Sequence, residues 1–482
     1  MYSPSFPLEI WSQTVSWLPM SDKKSLLGVS RFFHSAALPF VFSSVKIYVL
    51  GGYETLQMLD TNNETFAYEV ETKLTRRSCE ILLHIVASPG FARLVKDMTL
   101  VVYTEYPACY EILTLTKALG VLHNLRALRC YGSDLSKHAF EEILQAVPPT
   151  IERILYSTII SLDLTANLPN LECLEYRNTM YFPEDGASDL PLSPPPPNNT
   201  LTNLNFHSLI HTRLKALAID AVWVTRIPIW VYNQLVSLEI NSDRLAHPIN
   251  IDFICHHCPI LEDLSATGEI WVGLCLSLPA ETTFPRLQSL RLSCEGFNGD
   301  GDPKAEHFAA LSLFLRAHRN LRRLYLRFPD ARWCQIRSLL GDIQAFRNLD
   351  ALGIHAGSDA LSEGDLEHLV THIPLTPKAL QLSMAWNTNT GSHVPIIMNA
   401  LSALPNLQFL HIYGTYSRLP FSPEELALDL KGLRRVGLTR ALWDIERNGS
   451  EFEGCKWPRW KIKFFSESDF DDADDAWLFK YH

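Results

Sequence analysis

Long apolar runs are missing from this chain. No window of its 482 residues offers 18 uncharged apolar positions in succession, so no transmembrane helix is expected. A secretory leader is not expected either, because Pro4, Pro7 and Glu9 break the first apolar residues and no basic start precedes them. Cysteine is sparse and scattered: ten residues with no paired framework. Without a leader they read as reduced thiols in the cytoplasm or nucleus, where the sequons at Asn63, Asn198 and Asn448 would never meet the glycosylation machinery. Basic residues are outnumbered, 42 Lys and Arg against 53 Asp and Glu, a formal net charge of -11. That balance argues against a nucleic-acid partner, and nothing calls for a membrane partner. Catalytic signatures are absent too. There is no G-x-S-x-G elbow, no H-E-x-x-H and no Gly-rich phosphate loop, so neither an enzyme nor a cofactor site is expected.

What is present is a globular composition, 47% hydrophobic and 20% charged, and a recurring phrase. An apolar residue, two variable ones, an apolar one, a variable one and an apolar one begin at Leu125, Leu171, Leu214, Leu235, Leu261, Leu287, Leu321, Leu349, Pro377, Leu407 and Leu433, with a weaker copy at Ile151. Leu235, Leu261 and Leu287 follow one another at 26 residues, as do Leu407 and Leu433. The end of each phrase alternates and suits a short strand. Between phrases, Arg76–Ser88, Lys137–Val147 and Lys304–His318 place apolar residues three and four apart, as helices do.

The phrase resembles the leucine-rich repeat. The resemblance implies an α/β solenoid with parallel strands on the concave side and helices on the convex side. Each strand–helix unit buries its apolar face against the next. The expected solenoid runs over 46–465. A Pro-rich loop near 182–200, containing SPPPPNN, interrupts it, since that run fits neither a helix nor a central strand. A ligand for a proline-recognising domain is the sharper reading of that loop.

The front of the chain, FPLEIWSQTVSWLPMSDKKSLLGVSRFF, is rich in large apolar residues yet too short for a core of its own. Its spacing predicts a helix from about Pro7 to Trp17, a stop at Pro19, a second helix capped by Ser21 or Asp22, and a third opening at Ser30. Three elements of the pattern carry a family likeness: Phe6-Pro7-Leu8-Glu9-Ile10, Leu18-Pro19 with Asp22 to Leu26, and Val29-Ser30-Arg31-Phe32-Phe33. Together they resemble the F-box, with Phe6 where leucine is usual. The general look is similar to F-box proteins of mushroom-forming fungi. The resemblance covers about residues 5–45, within an expected adaptor-binding domain of 1–45. It implies that Pro7, Ile10, Leu18, Pro19, Leu26 and Val29 help bind a Skp-type adaptor and, through it, a cullin. The chain would then be the non-catalytic receptor of a ubiquitin ligase, holding an unknown protein substrate on the repeat arc. A repeat scaffold that joins no ligase is the alternative, and an enzyme on a repeat-like fold has the least support.

On the concave face, the late strands carry Tyr325, Arg327, His355, His411 and Tyr413, with Trp386 just beyond. Such side chains dominate interface energetics, and this set is the expected substrate-binding surface. Arg129, Arg291 and Arg327 leave an anionic segment open as the substrate. CHHCP (Cys255–Pro259) is the most tempting metal motif, but no second ligand pair stands nearby, and Cys258 reads as a small buried hydrophobe ahead of its leucine phrase. No metal is expected. Residues 466–482 carry five aspartates and read as a solvated acidic tail. The alternatives are a tether for a basic partner, or Trp477, Leu478 and Phe479 folding back as a cap on the last repeat.

Overall fold

The computed structural model describes residues 7–480, apart from 19, 60, 105–108, 133–136, 157–167, 177–211, 243–250, 269–282, 294–304, 387–392, 416–418 and 449–450. The Pro-rich stretch and Pro19 lie outside that set. Two compact units make up the chain.

The first unit opens with helices α1 (Leu8–Ser16), α2 (Met20–Leu26) and α3 (Arg31–Val41). Strands β1 (Ser44–Gly51), β2 (Asp97–Thr104), β3 (Ala127–Tyr131), β4 (Arg153–Tyr156) and β5 (Cys173–Tyr176) follow, each parallel to the next. β1 and β2 precede the phrase at Leu125. Each runs for eight residues, and nearly every residue of both is buried, although Ser44, Lys46, Asp97 and Thr99 are polar. A helix of 24 residues, Glu64–Ala87, joins them and packs on β1. Asn63 caps it by accepting from the Phe66 N–H at 3.0 Å.

The second unit begins with β6 (Ala216–Asp220), β7 (Ser237–Ser242), β8 (Asp263–Gly268), β9 (Ser289–Ser293) and β10 (Arg323–Arg327). It continues with β11 (Ala351–Ala360), β12 (Ala379–Ala385), β13 (Phe409–Thr415) and β14 (Arg435–Leu438). All nine are parallel, and the register stacks one residue of every phrase: Leu217, Leu238, Leu264, Leu290, Leu324, Leu352, Leu380, Leu410 and Val436. These nine are buried. Burying a leucine is worth roughly 1.5–3 kcal/mol, and in a ladder each one covers its neighbours, which is why a six-residue phrase can specify the sheet. This is the leucine-rich-repeat architecture. Cys258 is fully buried ahead of β8, where burial pushes its thiol up to about 12. Among the described residues, no three His, Cys, Asp or Glu side chains are placed to hold a metal. Nor is any helix among them long and apolar enough to cross a membrane.

The parallel ladder then stops. β15 (Ala441–Asn448) turns back antiparallel on β14, and β16 (Glu451–Lys456) turns back on β15. The first reversal passes through Thr439 at φ +51°, a left-handed conformation that β-branched residues avoid. The Thr439 carbonyl is held there by the His411 ring Nε2 at 2.7 Å.

Candidate functional site

Two places concentrate the candidate side chains, one in each unit. In the first, the three short helices share a core of Val15, Ala36 and Ala37, with Leu18, Leu26, Leu27 and Phe40 packed against it. Trp11 meets Phe33 edge-on, with ring centroids 5.2 Å apart. The Ser30 hydroxyl caps α3 by accepting from the Phe33 N–H at 3.3 Å, as the spacing predicts. α2 already starts at Met20, so Ser21 and Asp22, expected ahead of it, fall in its first turn, where the Asp22 carboxylate favours the helix dipole.

Seven residues are a small core, and they leave other apolar side chains outside it. Ile10 is 48% exposed, Val29 62% and Trp17 77%. Pro7 is exposed as well, and its carbonyl accepts from the Ile10 N–H at 3.2 Å to open α1. The six sequence-predicted adaptor residues therefore divide. Pro7, Ile10 and Val29 face outward, Leu18 and Leu26 pack in the small core, and Pro19 lies outside the described residues.

The second place is the open face of β7–β14, the side of the sheet opposite the leucine stack. In register across β8–β14, one row reads Asp263, Ser289, Arg323, Ala351, Ala379, Phe409 and Arg435. The next row, beginning on β7, reads Glu239, Ser265, Arg291, Tyr325, Gly353, Gln381, His411 and Gly437. The late residues of this face were expected to be exposed. They are not: Tyr325 is 2% exposed and His411 0%. What covers this region is the chain's own acidic segment.

Residues 466–480 do not form a solvated tail. Asp472 caps a helix over Ala473–Phe479, accepting from the Asp474 N–H at 2.8 Å, and that helix packs on β11 and β12. It therefore sits on the middle repeats and not, as a cap would, on the last one. Leu478 and Phe479 are buried with Tyr325, Ala351, Ala379 and Phe409. Gly353 makes room for them, since a Cβ there would stand 2.2 Å from Tyr325 Cδ2 and 3.1 Å from Leu478 Cδ1. The Phe479 ring lies 5.6 Å from that of His411.

Charge complementarity explains why so acidic a segment can be buried. Asp474 pairs with Arg323 at 2.6 Å, and Lys480 pairs with Glu239 at 2.7 Å. The Trp477 indole N–H donates to Asp263 Oδ2 at 3.1 Å, and the Trp477 carbonyl accepts from Arg291. The Arg291 guanidinium lies between two rings, 4.5 Å from the Tyr325 centroid and 4.4 Å from that of Trp477. Asp475 is less well served. Arg435 is committed to Asp444 at 2.6 Å and reaches Asp475 only at 3.8 Å. Burial therefore prevails over the nearby arginine and pushes the Asp475 carboxyl up to about 7.

The other predicted substrate residues are also placed differently from expectation. His355 is buried and neutral, pushed down to about 3 chiefly by burial, and its Nδ1 accepts from the Gly357 N–H at 3.0 Å. Trp386 turns away from the open face and packs edge-on to Phe421 at 5.5 Å, in space that the missing side chain of Gly414 leaves. Its indole N–H donates to the Tyr413 carbonyl at 3.2 Å. Arg327, 3.4 Å from Ser293 Oγ, and Tyr413 remain half-buried. Asp263, Arg323 and Arg435 belong to the row that the sequence reading passed over. Their signal was three ionisable residues at the third phrase position of β8–β14, where the other four are Ser289, Ala351, Ala379 and Phe409.

No family model matches the chain, and no curated protein matches it. Among solved structures it is similar to a chain of the yeast Rad7 and Elc1 complex, at 14% identity over 87% of this chain and 97% of that one, with a TM-score of 0.40. It is also similar to the leucine-rich repeat-containing protein LegL7 from Legionella pneumophila, at 13% identity over 70% and 98% of the two chains, TM-score 0.33. A third likeness is to the TLR13–ssRNA13 complex, at 15% identity over 73% of this chain, TM-score 0.29. The chain spans about half of that protein's length, 52%. At such scores the repeat architecture rests on the strand register above, not on these likenesses.

Proposed function

We propose that the chain is a non-catalytic substrate receptor of a cullin-type ubiquitin ligase, with α1–α3 docking a Skp-type adaptor and the repeats holding a protein substrate. The observation that supports this reading is the division within the front segment. The residues matching the F-box pattern include Pro7, Ile10 and Val29, and these three are exposed although two of them are large and apolar. The helices fold around Val15, Ala36 and Ala37 without them. Apolar side chains projecting from short helices suit docking into a groove on a partner.

The test is co-purification of the full chain with a Skp-type adaptor, compared with Ile10→Asp and Val29→Asp. Both positions are outside the small core, so circular dichroism and melting should not change. A central anchor is worth on the order of 2 kcal/mol, about a thirtyfold loss of affinity. Failure of the unaltered chain to capture the adaptor sinks the ligase reading. It would leave the second reading, a repeat scaffold for protein interactions, in its place.

A further inference from the structure

The acidic helix covers the open face without fully satisfying it. Ser265 Oγ, Gln381 Oε1 and Ser383 Oγ are buried and have no hydrogen-bond partner among the described residues. Ser265 and Gln381 stand in the same row as Arg291 and Tyr325, and Ser383 lies two residues along β12 from Gln381. Unmatched buried polar atoms are costly, and interiors that never open seldom keep three on one face, here spread over β8 and β12, roughly 19 Å apart across four strand spacings. The same face holds cations set for carboxylates, and Arg291 is stacked between two rings, one of them from the covering segment. This is how a groove recognises a peptide: a few ion pairs, aromatic anchors and a polar floor.

We infer that the open face of β8–β13 is a binding site for an acidic, aromatic-containing helical segment of a protein partner, and that residues 466–480 are its resident competitor. The inference deepens the proposed role of the repeats in holding a protein, and it does not depend on adaptor docking. Asp474 shows where a partner's carboxylate binds, on Arg323. Trp477 and Leu478 show where its aromatic and aliphatic side chains bind, against Arg291, Tyr325 and Gly353. A partner that also hydrogen-bonds Ser265, Gln381 and Ser383 displaces the resident helix. Tethering gives that helix an effective concentration in the millimolar range, so the face opens only to a better-matched segment.

The test uses a fluorescent synthetic peptide of residues 466–480 and the full chain, read by anisotropy. The peptide should bind the Trp477→Ala chain at least tenfold more tightly than the unaltered chain, because the substitution weakens the resident helix and spares the face. Adding Arg323→Glu to that chain, or replacing both Asp474 and Asp475 by Lys in the peptide, should abolish binding. Equal affinity for the two chains, no saturable binding to the Trp477→Ala chain, or indifference to charge reversal would overturn the inference. Should Trp477→Ala fail to fold, hydrogen exchange on the unaltered chain decides. Amides of 473–479 should exchange at least tenfold faster than those of β10–β12, and equal protection would make the helix permanent core. Adaptor capture is read on the front segment, so either proposal can fall while the other stands.

Discussion

Replacing Leu478 by Ala should loosen the acidic helix while leaving the repeats intact. Leu478 is fully buried, among Tyr325, Ala351, Ala379 and Phe409, and rests over the side-chain-free position of Gly353. Truncating a buried leucine to alanine costs about 2–5 kcal/mol, depending on how far the site collapses. The neighbours here are small, apart from the rings of Tyr325 and Phe409, and the helix end can shift. The lower part of the range applies, about 2–3 kcal/mol, which is a factor of about 30 to 150 in the docking equilibrium. The assay is hydrogen exchange with mass spectrometry on the full chain. Amides of 473–479 should lose protection by that factor, and amides of β7–β13 should keep theirs, because the leucine stack lies on the other side of the sheet. Unchanged protection of 473–479 refutes the assigned burial. Equal loss in β10–β12 refutes the separation of helix from repeats, and shows one cooperative core instead.

Two further outcomes follow from the same face. The docked Asp475 has a pKa of about 7, above its ordinary value of 3.8, because burial outweighs Arg435 and Arg434 while Asp472 and Asp474 add repulsion. The docked state thus favours the protonated carboxyl, and its contribution is full at about pH 4 and is lost as pH rises through about 7. Asp475→Asn should therefore gain docking strength relative to the unaltered chain between those pH values, measured by exchange at 473–479; a constant difference would show that Asp475 does not titrate there. Gly353→Ala should destabilise the second unit by about 1–3 kcal/mol, since the new methyl meets the Tyr325 ring at 2.2 Å. Urea unfolding checks this, and an unchanged midpoint would mean that the ring moves aside freely.

The repeats were legible because the leucine phrase is a local pattern whose burial is also local: each leucine is covered by the same position one repeat away. β1 and β2 escaped that reading although both carry the phrase, Phe42 to Ile47 and Val95 to Leu100, because no leucine heads either copy; Val45 and Met98 nonetheless stack in register with Leu128. The hairpin of β15 and β16 escaped for a different reason, since nothing in the phrase says where a parallel ladder ends. The front segment was legible in its helices and in the Ser30 cap. Which of its apolar residues pack inward depends on how the three helices cross, and that put Leu18 and Leu26 with the core while Ile10 and Val29 stayed outside. The acidic segment was the least legible. Its composition is that of a solvated strand of chain, and the cations that make it buriable lie between Arg291 and Arg435, far away in sequence. Tyr325 and His411 read correctly as open-face residues, but their exposure was decided by a segment that no local pattern connects to them.

The Lys480–Glu239 pair spans 241 residues of sequence. During synthesis at about 5–20 residues per second, Glu239 leaves the ribosome some 10–50 s before Lys480 is made. The face fills strand by strand over that interval, and Arg435 on β14 precedes Lys480 by 45 residues, roughly 2–9 s, during which the open face is bare, its arginines and tyrosine facing solvent. Newborn molecules thus pass through a state in which any waiting acidic segment competes with no resident, and the order of translation gives an early partner an advantage that the finished chain withdraws.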